Sequence, residues 1–277
     1  MRNFLFLLCF TTSFSFSQQS RIARLPKELK EISGLENYND SLLFAINDGG
    51  NEPCVYLINL EGKIVKTITL DITNKDWEDI AVDEKKEFLY IGDVGNNANT
   101  RKDLCIYKIN IAEMLTQTSV ASQKFSFNYS DQQAFPPKKE DMNYDCEAMT
   151  ISNNRIYLFT KSNTKPYKGN SKVYSLTTDG KDFRFEQNLE LGNKNYFQNS
   201  VTAADYYKGK FYLSTYSFIY IFSLHKCVWK KEQKISYKRL TQKESLVVLH
   251  NNEIIVADEK SKLSIGQNLY KIKLKND

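Results

Sequence analysis

Five short segments of the sequence share one pattern: Glu31-Ile-Ser-Gly-Leu35, Glu78-Asp-Ile-Ala-Val82, Glu147-Ala-Met-Thr-Ile151, Thr202-Ala-Ala-Asp-Tyr206 and Glu244-Ser-Leu-Val-Val248. Aligned without gaps, each opens with a polar residue and continues with mostly small or apolar residues. They begin 42 to 69 residues apart along the 277-residue chain. A repeat at about this spacing is typical of the blades of a β-propeller, in which every blade is one small antiparallel sheet.

The further strands of each unit are also visible in the sequence. A polar turn and a second apolar run follow each segment, and a third run comes after a variable loop, as expected for antiparallel strands. The first four units add a fourth run, placed at Gln233–Arg239 in unit four, whereas the fifth unit ends without one. Because an unpaired sheet edge is unfavourable, we predict that Arg21–Leu25 pairs with Leu269–Lys273 and closes the ring.

The predicted fold class is therefore all-β: a β-propeller of five blades with four strands each. Chain length alone suggests six blades as the alternative, and a sixth would fit only in the 69-residue interval after Glu78. That interval has one strand-like run and then Phe135-Pro136-Pro137-Lys138, which is typical of a loop. A β-sandwich would give no reason for five aligned segments.

The first 17 residues form a separate segment. A positive charge at Arg2, the apolar run Phe4–Phe10 and small residues before Gln18 are typical of a signal peptide. We predict a signal peptide at 1–17, a single propeller domain at 18–277, and export to the periplasm or secretion. A lipoprotein anchor at Cys9 is less favoured, because small residues do not precede that cysteine. No apolar run is long enough for a transmembrane helix.

Composition excludes several classes of protein. The chain is 41% hydrophobic and 26% charged with only 5 Pro and 11 Gly, which excludes disordered and collagen-like proteins. The net charge of +5 is spread along the chain without a basic stripe between aromatic residues, which argues against nucleic-acid binding. Two histidines disfavour His-based catalysis. No Cys-x-x-Cys spacing indicates zinc. Disulfides are permitted in an exported protein and the four cysteines after residue 17 allow three pairings, but a chain this long does not need them, so free buried cysteines are the simpler interpretation. We expect a monomer.

Polar residues should collect at one end of the central channel. The first strand of a propeller blade lines the channel and the second runs back beside it, so residues opening the first and closing the second strand meet on one face. The opening residues are Glu31, Glu78, Glu147, Thr202 and Glu244, and the closing residues are Asp48, Asp93, Lys161, Tyr216 and Asp258. Seven carboxylates would then repel one another.

A hard cation would offset this repulsion, since Ca²⁺ accepts six to eight oxygen ligands in a tolerant geometry. The predicted metal ligands are Glu31, Glu78, Glu147, Glu244, Asp48, Asp93 and Asp258. Two loops rich in Asp, Asn and Gly, Ile46–Glu52 and Ile91–Asn97, follow equivalent strands. The predicted ligand-binding residues are Asn47, Asn51, Asn96, Asn97, Lys161 and Tyr216. The alternative is that solvated carboxylates merely bind neighbouring backbone amides without a metal.

Several motifs resemble those of a known group of exported propellers. These motifs are Glu31-Ile-Ser-Gly-Leu35, Asn47-Asp-Gly-Gly-Asn51, Asp76-Trp-Glu-Asp-Ile-Ala81, Tyr90-Ile-Gly-Asp-Val-Gly-Asn-Asn97 and Asp145-Cys-Glu-Ala-Met149. They look like a group from Bacteroidetes-type bacteria that is similar to the SdiA-regulated family and, more distantly, to phytase-like and gluconolactonase propellers. The resemblance implies a β-propeller, and the distant relatives imply calcium near the channel axis. The sequence departs from the pattern at Thr202, where the opening acid is missing.

Two functions fit these features. In the first, the acidic mouth of an exported, Ca²⁺-binding propeller binds a small-molecule or protein ligand without turnover. In the second, the protein is a Ca²⁺-dependent hydrolase of lactones or phosphate esters. Asp93 or Glu147 would then act as general base, and Lys161 would hold an anionic group. The sequence does not choose between them, because one fold supports many activities.

Overall fold

The computed structural model describes residues 18–117, 119–192, 195–261 and 265–274. The predicted signal peptide at 1–17 lies outside the described residues. Within these ranges, none of the helices is both long and apolar enough to cross a membrane. The helices are α1 (Ile111–Thr116) and α2 (Tyr196–Asn199), with short 3₁₀ turns at Lys27–Leu29 and Lys139–Asp141.

The described strands form five antiparallel sheets of four strands. Blade one consists of β2 (Ile32–Asn39), β3 (Leu42–Asn47), β4 (Cys54–Asn59) and β5 (Ile64–Thr69). Blade two consists of β6 (Trp77–Val82), β7 (Phe88–Asp93), β8 (Cys105–Asn110) and β9 (Ser122–Ser126). Blade three consists of β10 (Cys146–Ser152), β11 (Arg155–Thr160), β12 (Asn170–Thr177) and β13 (Phe183–Glu190). Blade four consists of β14 (Val201–Tyr207), β15 (Lys210–Thr215), β16 (Phe218–His225) and β17 (Val228–Ser236). Blade five consists of β18 (Lys243–Val248), β19 (Glu253–Asp258), β20 (Asn268–Lys273) and the N-terminal β1 (Gln18–Arg24).

The ring is closed by the N-terminal strand, as predicted. Strand β1 pairs antiparallel with β20, with Arg21 opposite Tyr270 and Arg24 opposite Asn268. The long interval before blade three holds α1, β9 and the turn at Lys139–Asp141 rather than a further sheet. Five blades of four strands are therefore confirmed, and the six-blade alternative is wrong.

The core lies between the blades. Each of five apolar clusters combines buried side chains from two successive blades, and one of them joins blade five to blade one. Alternating side chains along each strand therefore pack against the preceding or the following blade. Trp77 is fully buried between blades one and two, where its indole Nε1 donates to the Thr73 carbonyl at 3.2 Å.

The four described cysteines are unpaired. They are Cys54, Cys105 and Cys146, which are buried, and Cys227, which is exposed. Burial of apolar surface between blades, rather than cross-linking, therefore stabilises the described ring.

Candidate metal centre at the channel mouth

Every blade has a β-bulge at the same point of its inner hairpin. In blade two the pairing between the first and second strands passes from Trp77 to Asp79 and skips Glu78. The skipped residues of the five blades are Ser33, Glu78, Glu147, Thr202 and Glu244. A bulge bends its strand and redirects a side chain that has no partner in the ladder. All five redirected side chains line one cavity at the mouth of the channel.

These bulges correct the alignment of blade one. The structural equivalent of Glu78 is Ser33, so the gapless alignment that started at Glu31 is wrong by two residues. Glu31 accepts a hydrogen bond from Asn51 Nδ2 at 2.8 Å and pairs with Lys30 at 3.4 Å. Among the described residues, Glu31 is not one that lines the cavity.

The second strands show a similar shift of one residue. Their last residues are Asn47, Asp93, Thr160, Thr215 and Asp258, and the residues that follow are Asp48, Val94, Lys161, Tyr216 and Glu259. Four of the following residues, all except Val94, line the cavity. Because successive side chains of a strand point to opposite faces, a shift of one residue moves the side chain to the other side of the sheet.

Asp93 and Asp258 accordingly belong to other networks. Asp93 Oδ1 pairs with Arg101 Nη2 at 2.7 Å and also accepts a backbone N–H at 3.2 Å. Asp258 accepts from the Tyr270 hydroxyl at 2.9 Å and lies 3.6 Å from the buried ammonium of Lys243. These partners lie within the same blade as each acid, blade two for Asp93 and blade five for Asp258. The structure therefore does not bring these two predicted ligands to the mouth.

The cavity at the mouth has a volume of about 570 Å³. Its lining residues are Ile32, Ser33, Asp48, Glu78, Asn97, Glu147, Lys161, Thr202, Tyr216, Gln242, Glu244 and Glu259. Five of them carry carboxylates and one carries an ammonium group. The volume is within the range of small-molecule sites, but the lining is far more acidic than is usual for them.

Two groups of three carboxylates share Glu78. One consists of Asp48, Asp76 and Glu78, and the other of Glu78, Asp145 and Glu147; within each group, one carboxylate oxygen per residue lies within 4.8 Å of the others. All these donors are oxygens, which hard cations such as Ca²⁺ and Mg²⁺ prefer. The arrangement can therefore hold one divalent cation, with Glu78 common to both sets of ligands.

Some of these carboxylates lack the partners that buried charges usually have. Glu78 is only 6% exposed, yet no hydrogen bond or ion pair to its carboxylate is found in the described part of the chain. The Asp76 carboxylate also accepts no hydrogen bond from a described residue. Burying an ionised carboxylate without a partner is costly, so these oxygens favour a cation.

Two glycines allow the backbone to approach the acids closely. A Cβ atom at Gly95 would collide with Glu78 Oε1 and would lie 2.5 Å from Asp76 Oδ2. A Cβ atom at Gly49 would collide with Asp76 Oδ1. At Gly49 the added atom would also meet backbone atoms of Asp76 and Lys75, so that position requires glycine, whereas at Gly95 the side chains of Glu78 and Asp76 would have to move. The two Asp/Asn/Gly loops therefore lie close against the carboxylates.

Lys161 and Glu147 form an ion pair in the cavity, with Nζ 2.8 Å from Oε1. The Lys161 ammonium also lies 5.9 Å from the centre of the Tyr216 ring. Burial disfavours the charged lysine, but attraction from Glu147 and other nearby acids outweighs burial and raises the pKa of Lys161 well above its usual value. Lys161 therefore neutralises one acid and leaves the others uncompensated.

The remaining acids are held in conditions that favour protonation when no cation is present. Burial, with repulsion from Glu147 and Asp76, raises the pKa of Asp48 to about 7. Burial raises the pKa of Glu244 to about 8, although Lys161 opposes the shift. Burial and repulsion from Glu147 and Asp48 raise the pKa of Glu78 well above its usual value. A bound cation would reverse these shifts, because it favours the ionised form.

The predicted asparagines, Asn47, Asn51, Asn96 and Asn97, have different positions. Only Asn97 lines the cavity. Asn51 donates to the Asp48 carbonyl at 3.0 Å, the Asn96 backbone N–H donates to Asp145 Oδ1 at 2.6 Å, and Asn47 donates to the Glu28 carbonyl at 2.7 Å. Asn51 and Asn96 therefore orient the loops that carry acids.

Sequence reasoning missed five residues of this region: Ser33, Asp76, Asp145, Gln242 and Glu259. Asp76 and Asp145 each stand two residues before a bulge glutamate, inside motifs that the sequence already showed. That repeated Asp-x-Glu spacing is the signal that could have revealed them. Ser33, Gln242 and Glu259 carry no comparable signal, because only the strand register places them.

The sequence matches no model of a protein family and no curated protein. The fold does resemble solved structures. Glutaminyl cyclase from Myxococcus xanthus superposes with a TM-score of 0.58 at 11% identity, covering 94% of this chain and 97% of the cyclase. A gluconolactonase from Xanthomonas campestris gives 0.52 at 9% identity, covering 94% and 90%. Luciferin-regenerating enzyme gives 0.53 at 8% identity, covering 93% and 95%. Identities this low show a shared propeller fold alone.

Proposed function

We propose that this protein is an exported propeller that binds Ca²⁺ at the mouth of its channel and uses that mouth to bind a ligand. The observation that carries the proposal is the pair of carboxylate triads, one buried and one half-buried, that share the buried Glu78, for which no partner is found in the described part of the chain. The proposed ligands are Glu78, Asp48, Asp76, Asp145 and Glu147. Export, and the relationship to SdiA-regulated propellers suggested by the sequence motifs, are parts of the same proposal.

Calcium is favoured over other cations by the chemistry of the donors. Zinc and copper sites use His or Cys, and neither type lies in the cavity lining. Mg²⁺ demands nearly octahedral geometry and keeps several waters, whereas Ca²⁺ accepts irregular sets of carboxylates. Five carboxylates from three loops and two bulges form such an irregular set.

Thermal unfolding with and without metal tests the proposal. After treatment with EDTA, Ca²⁺ at one hundred times its Kd should stabilise the fold by about 2.7 kcal/mol, which corresponds to a Tm rise of roughly 5 to 10 °C. Mg²⁺ at the same concentration should raise Tm less. Equal Tm values in EDTA, Ca²⁺ and Mg²⁺ would contradict metal binding at the mouth.

Hydrolysis is the second candidate function, and the Lys161–Glu147 pair favours it. The pair lies in the cavity and shares Glu147 with one triad, so Lys161 can hold an anionic oxygen of a phosphate ester, or the oxyanion formed when water adds to a lactone carbonyl, while Glu147 accepts the proton of that water. A bound Ca²⁺ would supply Lewis-acid polarisation of the substrate oxygen. Asp93 is not part of this proposal, because Arg101 already pairs with it.

Turnover measurements separate the two functions. Lactone and phosphate-ester substrates are assayed with the Ca²⁺-loaded protein and with Glu147→Gln. Hydrolysis that falls at least a hundredfold in the variant, at Ca²⁺ concentrations that saturate both proteins, supports the enzyme. A Ca²⁺-dependent Tm rise without any turnover supports the binding function.

A further inference from the structure

A second cavity, of about 390 Å³, adjoins the acidic mouth and is mainly apolar. We call it the aromatic cleft; its lining residues are Tyr196, Phe197, Tyr216, Leu240, Thr241, Gln242, Ser261 and Ile265. Phe197 is 57% exposed, Leu240 65% and Ile265 58%, which makes them three of the most exposed large apolar side chains described. Apolar residues gathered in one cleft, rather than scattered over the surface, indicate a binding site.

The aromatic wall of the cleft is ordered by contacts among its own rings. Tyr196 and Phe197 meet edge to face at 5.8 Å, and each has its ring centre 6.3 Å from that of Tyr216. Helix α2 carries the first two rings, and Tyr216 follows β15 at the mouth. Rings held by such contacts lose little conformational freedom when a ligand packs on them.

The cleft and the acidic mouth are adjacent and share part of their lining. Tyr216 and Gln242 line both cavities. Gln242 Nε2 donates to Glu259 Oε2 at 3.3 Å, so an acid of the mouth is tied to a residue of the cleft. A small ligand can therefore place its apolar part in the cleft and its polar part in the mouth.

The charge at the junction determines which polar group fits. Glu244 and Glu259 line the mouth on blade five and belong to neither carboxylate triad. Neither forms an ion pair within the described ranges, because Lys161, the ammonium of the cavity, pairs with Glu147. With a divalent cation on the triads, these two carboxylates still favour a positive group and repel an anion.

We propose that Glu244, Glu259 and the aromatic cleft form a subsite for a small amine with an aromatic or branched apolar body. The ammonium group lies between the two glutamates, and the body packs on Tyr196, Phe197 and Tyr216. This subsite rests on the proposed function, since the triads must hold the metal and leave Glu244 and Glu259 free. It assigns the ligand class of the mouth as a cationic amine rather than an organic anion.

Calorimetric titration of the Ca²⁺-loaded protein with three probes tests the subsite. 2-Phenylethylamine has both parts, ethylamine lacks the ring, and 3-phenylpropionate replaces the ammonium with a carboxylate. We expect 2-phenylethylamine to bind at least tenfold more tightly than ethylamine, and 3-phenylpropionate to bind more weakly than either. Tighter binding of 3-phenylpropionate, or equal binding of both amines, would overturn the inference.

Matched variants assign any binding to the cleft. Phe197→Ala should weaken 2-phenylethylamine at least fivefold but leave ethylamine unchanged, whereas Glu244→Gln should weaken both amines. Val65→Ala is the control, because Val65 is equally exposed, at 57%, on the outer strand of blade one. An equal loss in Phe197→Ala and Val65→Ala would contradict the cleft as the site.

Ca²⁺ titrations of the same proteins distinguish the two proposals. Phe197→Ala should keep the Ca²⁺ affinity of the unmodified protein. Intact Ca²⁺ binding without preference for the aromatic amine would overturn only the subsite, whereas amine binding without Ca²⁺ binding would overturn the proposed metal function. The protein could instead bind neutral lipid vesicles and bind no amine. If Phe197→Ala abolished that vesicle binding, the cleft would be a membrane contact and the subsite would be overturned.

Discussion

Buried carboxylates lie both in the mouth cavity and outside it, but their hydrogen bonding differs. Glu36, Asp79 and Asp205, which do not line the cavity, each accept at least two backbone N–H groups, including one from the inner strand of another blade. At the mouth, Glu78 and Glu244 accept none from the described residues. The first group ties neighbouring blades together, and the second is left available for a ligand.

Burial alone does not separate these two groups. It raises the pKa of Glu36 to about 7 and the pKa of Asp79 well above its usual value, as it does for Glu78 and Glu244 at the mouth. The difference lies in whether the backbone has already satisfied the carboxylate oxygens. A shifted pKa therefore identifies buried acids here, whereas missing donors distinguish Glu78 and Glu244 from the acids that the backbone satisfies.

The largest expected effect is at Asp79, whose carboxylate joins three blades. It accepts from Ile80 N and Met149 N at 2.9 Å and from Ala204 N at 3.4 Å. Asp79→Ala leaves these buried donors without an acceptor, so the free energy of unfolding should fall by at least about 3 kcal/mol. Urea denaturation measures the change, and a loss below about 1 kcal/mol would contradict the structural role.

The raised pKa values of the acids at the mouth should make the stability of the metal-free protein depend on pH. Asp48 and Glu244 keep their protons in the metal-free fold up to pH values near 7 and 8, whereas the unfolded chain loses them near 4. The folded state thus binds more protons in this interval, so stability is greatest at low pH and falls as pH rises from about 4 to 8.

Melting curves from pH 5 to 9 check this slope. In EDTA, Tm should fall with rising pH, and the double variant Asp48→Asn, Glu244→Gln should show a smaller fall. Saturating Ca²⁺ should flatten the slope of the unmodified protein in the same way. Slopes that are identical with and without Ca²⁺ would show that the mouth does not hold the metal.

A methyl group at Gly95 should weaken metal binding with little effect on folding. Gly95 does not have a positive φ, so alanine can adopt its backbone conformation. The added methyl group would, however, press on Glu78 Oε1 and Asp76 Oδ2. We expect Gly95→Ala to reduce Ca²⁺ affinity about tenfold, which corresponds to about 1.4 kcal/mol. Gly192→Ala is the control, because its methyl would meet Asn199 Oδ1 and the Tyr220 hydroxyl at 3.4 and 3.8 Å. Equal Ca²⁺ affinities in the two variants would contradict a role of Gly95 in shaping the metal site.

The smallest effect is expected at the other end of the channel, on the surface. His250 Nδ1 lies 2.7 Å from Asp40 Oδ1 and joins turns of blades five and one, but both side chains are more than half exposed. Exposed pairs contribute little, so His250→Ala should change the free energy of unfolding by less than about 1 kcal/mol. A loss as large as that of Asp79→Ala would show that exposed contacts, and not buried carboxylates, hold the blades together.

The fold was predictable because it follows from repeated patterns of apolar residues. Strand number, blade number and the closing strand all depend on that pattern and on the need to cover a sheet edge. Local errors arose where turn residues gave no signal. The fourth strand of blade four was placed at Gln233–Arg239 but begins at Val228, because Lys226 and Cys227 form a tight turn with φ of 48° and 63°. Neither residue type is typical of a turn with positive φ.

The candidate site was only partly predictable, because its geometry depends on the register. Glu78, Glu147, Glu244, Asp48, Lys161 and Tyr216 were named from the sequence and all line the mouth. Glu31, Asp93 and Asp258 were named by the same reasoning but are displaced by one or two residues from the positions that face the cavity. Ladder hydrogen bonds and a bulge in each blade set these positions, and the residue types do not show them.

Calcium titration of the unmodified protein and of Glu78→Gln, by calorimetry after removal of metal, tests the central claim most directly. We expect one Ca²⁺ site in the unmodified protein and at least a tenfold loss of affinity in Glu78→Gln, which should still fold because the Glu78 carboxylate forms no hydrogen bond with a described residue. Asp258→Asn, which alters a buried acid outside the mouth, should keep the Ca²⁺ affinity if it folds. Equal Ca²⁺ affinity in Glu78→Gln and the unmodified protein would contradict the account.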